Sequence, residues 1–164
     1  MSVTGKARGF SILEILITLA VVVLFSGFFV LYFDDSQDEE LLTRCSSEVK
    51  GLALKAKKRS FAYRREHYLI LSRSSILLSD SFDPESSEGS AGLVEKAFQV
   101  PAEVRMEILP PGKSKWVLVT EYLWTFRDSG LSDPVQLRFS VGGSYTELKF
   151  NVLTGQADEV TFIN

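Results

Sequence analysis

Three side chains invite a chemical reading: the single cysteine Cys45, the single histidine His67, and Glu14 within an apolar run. One histidine leaves little room for a Ser-His-Asp or Cys-His site, and at a strand start it reads as a surface or edge residue. One cysteine excludes an intrachain disulfide, and no Cys/His cluster has zinc spacing. Cys45 lies on an apolar helical stripe and reads as a small buried hydrophobe. Asp158 and Glu159 read as solvated turn acids rather than calcium ligands. There is no G-x-S-x-G, no HExxH and no phosphate-cradling glycine loop. The chain therefore predicts no enzyme, metal or cofactor. A formal charge of −3 over 164 residues argues against a nucleic-acid partner.

Glu14 is the informative residue. Between Phe10 and Phe33 the only ionisable side chains are Glu14 and Tyr32. Ile15 to Phe33 as a helix would measure ~28 Å, near the thickness of a bilayer core. Lys6 and Arg8 precede the run, and Asp34, Asp35, Asp38, Glu39 and Glu40 follow it. The positive-inside rule then predicts a cytoplasmic N-terminus and an external remainder. A secretory signal fits poorly, because the run is too long and no A-x-A-like site follows it. A carboxylate inside such a run is costly. Helix geometry leaves two readings open: Glu14 snorkels to the interface, or it awaits a partner.

The elements that follow are legible in outline. Leu41, Leu42, Cys45, Val49, Leu52, Ala53 and Ala56 recur at three- and four-residue steps, and no proline occurs before Pro84. One helix is predicted from about Phe10 to Ser60, with a membrane half and an amphipathic half. It ends in Lys55, Lys57, Lys58 and Arg59, then Arg64 and Arg65. These are a solvated end with favourable dipole interactions, a band that meets the acids at 34–40 of another subunit, or, as a weaker third reading on an otherwise acidic domain, a DNA-binding band. Strands are predicted at 67–71 and 76–78 as a hairpin, and at 104–108. A bent strand is predicted over 116–126, with further strands at 135–141 and 148–152 and near 160–162. Residues 79–92 read as a polar loop. The predicted fold class is α+β, the long helix packed on antiparallel β-structure.

Arg8-Gly9-Phe10-Ser11-Ile12-Leu13-Glu14, followed by the apolar run, resembles the N-terminal signature of type IV pilins and type II secretion pseudopilins. The resemblance implies that a prepilin peptidase cuts between Gly9 and Phe10, that the new amine of Phe10 is methylated, and that the helix is retained. It divides the chain into a leader at 1–9, a transmembrane and filament-core helix at 10–33, and a periplasmic pilin-like domain at 34–164. It also gives Glu14 a role, setting register by pairing with the Phe10 ammonium of a neighbouring subunit. The proline that many major pilins carry in the far half of this helix is absent.

A looser resemblance spans most of the chain. A W-T-F-x-x-x-G stretch from Trp124 to Gly130 and an L-x-F-x-x-x-T-G turn from Leu148 to Gly155 look like H-type minor pseudopilins and FimT-like minor pilins. The D-P-W-G-type loop of major pseudopilins is not visible. The resemblance implies a minor pseudopilin assisting protein export across the outer membrane. Its partners would be the major pseudopilin, other minor pseudopilins, the prepilin peptidase and the inner-membrane assembly platform. The expected location is a single pass in the inner membrane, N-terminus cytoplasmic and C-terminal domain periplasmic, assembled into a periplasm-spanning pseudopilus. The alternatives are a minor subunit of a type IV pilus, including the DNA-uptake type, and a membrane-anchored binding module.

Overall fold

A computed structural model describes residues 11–81 and 94–164, with side chains for all of these except 28–36, 94, 96 and 97. Helix α1 runs over Ile12–Tyr63. The chain divides into two compact units between Gln37 and Asp38.

In the second unit, α1 presents the stripe that the periodicity marks. Leu42, Cys45, Val49, Leu52, Ala53 and Ala56 are all buried. Several of these are small, and Ser46 and Ser60 are buried with them. The helix ends where Arg64 takes a left-handed φ of 53° and the Arg65 amide returns to the Ser60 carbonyl at 3.3 Å. That closure satisfies a terminal carbonyl, a task glycine usually fills.

Nine strands follow. β1 (His67–Ser72) and β2 (Ser75–Ser79) form the predicted hairpin. β3 (Val94–Gln99), β4 (Arg105–Leu109), β5 (Val117–Leu118), β6 (Glu121–Phe126), β7 (Gln136–Val141), β8 (Ser144–Phe150) and β9 (Ala157–Phe162) complete the set. They build a four-stranded sheet in the order β3-β2-β1-β6 and a five-stranded sheet in the order β5-β4-β7-β8-β9. Every pairing is antiparallel.

This corrects the expected fold class. The α+β picture of one long helix with a membrane half, laid on antiparallel β-structure, gives way to a strand-rich fold of two sheets. Residues 116–126 differ from the expectation. They are not one bent strand, because β5 pairs with β4 while β6 pairs with β1 in the other sheet. Val119, buried and bonded through its amide to the Met106 carbonyl at 3.0 Å, marks the crossing. β3 (V-E-K-A-F-Q) lacks a clean alternation, which Ala97 breaks.

The two sheets and the helix share one core. At its centre Trp124 is fully buried. Its ring lies 4.8 Å from Phe126 and 4.6 Å edge-on to Phe150. The indole N–H donates to the Asp133 carbonyl at 3.0 Å, which removes the cost of burying that donor. Each fully buried large apolar side chain contributes ~1.5–3 kcal/mol by area, so this core and not helix propensity holds the second unit together.

The expected location is corrected as well. Among the described residues no helix is long and apolar enough to cross a membrane. A single pass in the inner membrane is therefore not supported.

Candidate assembly surface

In the first unit, α1 opens at Ser11. The Ser11 Oγ accepts the Leu13 amide at 3.3 Å, and the Ser11 carbonyl accepts the amides of Glu14 at 3.0 Å and Ile15 at 3.2 Å. Ser11 is thus the N-cap, and Glu14 stands three residues on. Ser11-Ile12-Leu13-Glu14 is the S-x-x-E spacing of a capping box. A carboxylate in the first turn also meets the positive end of the helix dipole. Sequence reasoning missed this local role, although the spacing was there to be read.

The Glu14 side chain is exposed and forms no ion pair among the described residues. Beyond it, polar groups are scarce. Thr18 donates to the Ile15 carbonyl at 2.9 Å and lies 3.0 Å from that of Glu14. Ser26 donates to the Val22 carbonyl at 2.8 Å. Both hydroxyls are satisfied within their own helix, so neither opposes burial by a neighbour. The large apolar side chains from Ile12 to Phe25 are open to solvent, from 45 % at Val21 to 79 % at Ile12. They occupy every face of the helix.

Gly9 and Phe10, the expected cleavage site, and Phe10 as the expected methylation site lie outside the described residues. So do most of the predicted 79–92 loop and, for their side chains, Asp34 and Asp35.

In the second unit the reactive side chains are inward. Cys45 is fully buried, and desolvation pushes its thiol up to about 11. A thiol so protonated is a poor nucleophile. His67 is buried, which corrects its reading as a surface or edge residue. Tyr63 stacks on its ring at 6.0 Å, and Phe126 stands opposite on β6. Its Nδ1 lies 3.2 Å from the Arg65 carbonyl. Desolvation holds the imidazole below its ordinary range. Among the described residues no group of three or more His, Cys, Asp or Glu is placed to hold a metal ion.

The cations at the end of α1 are largely spent inside the unit. Lys55 and Arg59 both reach Glu95, at 2.6 and 3.0 Å. Arg65 pairs with Asp80 at 2.8 Å. Lys57 caps two turns, donating to the carbonyls of Gly130 at 2.5 Å and of Leu153. Lys58 and Arg64 remain exposed.

Comparison with family models, with curated proteins and with solved structures found no match.

Proposed function

We propose that this chain is a structural subunit that assembles through its N-terminal helix, as a minor pseudopilin does within a type II secretion pseudopilus. One observation carries the reading: a capped helix whose residues 12–27 are apolar and exposed on every face, with Glu14 the only charge among them. A helix apolar all round must be buried all round. A single groove covers one side. Several parallel copies or cousins cover all of them, and that is a filament core. Within such a bundle the Glu14 carboxylate needs a cation, and the amine of a processed Phe10 on a neighbour supplies one. The strand-rich unit then presents a surface to other subunits or to exported cargo. Its partners are the major pseudopilin, other minor pseudopilins and the prepilin peptidase that frees the amine. The function is assembly, with no turnover chemistry.

The test is the mature N-terminus. Expressed with a prepilin peptidase, the chain is expected to begin at N-methyl-Phe10 by Edman sequencing and mass spectrometry. Without the peptidase it keeps Gly9. A chain that begins at Met1 in both cells refutes the reading.

A further inference from the structure

A groove of about 620 Å³ opens in the second unit where the two sheets meet. Val100, Val104 and Met106 give it an apolar floor, joined by the half-exposed Leu118 of β5. Two guanidinium groups line it, Arg73 from the β1–β2 turn and Arg105 from the start of β4. Neither makes an ion pair among the described residues. Glu107 also lines the groove, 4.0 Å from an Arg138 that is bonded more closely to Glu147 at 2.5 Å, so two arginines face one carboxylate there. The groove is thus locally positive on a chain of net charge −3.

Its walls are set before any ligand arrives. The Val100 amide bonds the Ser74 carbonyl at 2.9 Å, which ties the turn that carries Arg73 to the segment before β4. The Val104 amide bonds the Pro101 carbonyl at 3.1 Å, which fixes the entry to Arg105. β5 covers β4 over only two residue pairs, Glu107↔Leu118 and Ile108↔Val117. Residues 104–106 thus border the groove beyond that short ladder.

We infer that this groove receives an extended peptide segment of another protein in which carboxylate side chains alternate with apolar ones. The apolar side chains lie on Val100, Val104, Met106 and Leu118, and the carboxylates meet Arg73 and Arg105. Alternation is the natural display of an extended chain, and guanidinium groups pair with carboxylates in fixed geometry. The charge decides the partner: a basic or neutral segment would leave both arginines uncompensated. This inference does not depend on the filament reading.

The test uses the full-length chain and fluorescein-labelled Leu-Glu-Val-Asp-Phe-amide, read by anisotropy. The expected result is saturable binding that weakens about tenfold or more for Leu-Gln-Val-Asn-Phe-amide. The Arg73→Gln/Arg105→Gln double variant should lose binding to the same extent while keeping its thermal midpoint, since both side chains are exposed. Leu118→Asp should weaken binding through the apolar half of the site. Equal affinity for the acidic and amide-substituted peptides overturns the proposal, as does an unchanged double variant or no binding of the acidic peptide. Decanoate binding in the same groove without measurable peptide binding would identify a small amphiphilic acid as occupant, and that too overturns it.

Discussion

The Lys57 ammonium donates to the Gly130 carbonyl at 2.5 Å, across a turn where Gly130 holds a φ of +80°. The same ammonium reaches the Leu153 carbonyl beside Gly155, whose φ is +70°. One lysine on α1 therefore pins the turn after β6 and the turn after β8, joining one strand from each sheet to the helix. Lys57→Met keeps the aliphatic stem and removes both charge-assisted bonds. It is expected to cost ~2 kcal/mol, read as a lowered urea midpoint with an unchanged slope.

The two glycines at this clamp should respond differently to alanine. A Cβ on Gly130 would meet Phe61 at 3.7 Å, an ordinary contact, so Gly130→Ala pays chiefly for the left-handed backbone, ~1–2 kcal/mol. A Cβ on Gly155 would stand 2.9 Å from Lys57 Cδ. Lys57 cannot withdraw without losing its carbonyls, so Gly155→Ala should be the more destabilising by ~1 kcal/mol or more. Equal losses in parallel urea titrations would show that the clamp yields freely.

Both glycines belong to motifs that were legible as sequence, W-T-F-x-x-x-G and L-x-F-x-x-x-T-G, but their common anchor was not. Lys57 sits among Lys55, Lys58 and Arg59, and nothing in a run of cations says which one folds inward. The helical stripe was legible because burial imposes a period on it, and β7 and β8 because one face of each is buried. The split of 117–126 between two sheets depends on which strand each half pairs with, and a run of apolar residues does not carry that information. At the assembly surface, the lone carboxylate of Glu14 was plain from composition. Its capping-box spacing required knowing that the helix starts just after Ser11.

His67 gives the second unit a pH dependence with a definite sign. Burial holds the imidazole below its usual 6.5, so the folded state favours the neutral ring. The unfolded chain takes up its proton at ~6.5 and the folded one at lower pH. Between those values the unfolded state binds more protons, so stability falls as pH drops below ~6.5 and is level above it. Glu95, held below the ordinary carboxylate range by its bond to Lys55, contributes only in the more acid range near its own titration. His67→Gln should remove the part of the loss between pH 7.5 and 5.5 that exceeds the background. A wild-type profile matched by His67→Gln throughout would refute this assignment.

Cys45 offers a clean report on the same core. Its thiol is buried and raised to about 11, so a disulfide reagent at pH 8 should find it unreactive in the folded chain. In 8 M urea it should label fully within minutes. At intermediate urea the labelling rate should track the unfolded population. Fast labelling without urea would mean that the helix stripe at 42–56 opens independently of the sheets.

Glu14 separates two physical roles that one position combines. As the fourth residue of an S-x-x-E cap it needs an acceptor oxygen, which glutamine retains. As the partner of a neighbour's ammonium it needs a negative charge, which glutamine lacks. Glu14→Gln should therefore leave helix content by circular dichroism nearly unchanged, with a loss of ~0.5 kcal/mol or less from the dipole. Its incorporation into filaments, scored by shearing and sedimentation, should fall about tenfold or more. Glu14→Leu should fail likewise while still being cut after Gly9. Restored incorporation by Glu14→Asp, at a lower level set by its shorter reach, would tie the effect to charge. Normal assembly of Glu14→Gln would reduce Glu14 to a helix cap and remove the electrostatic register from the mechanism.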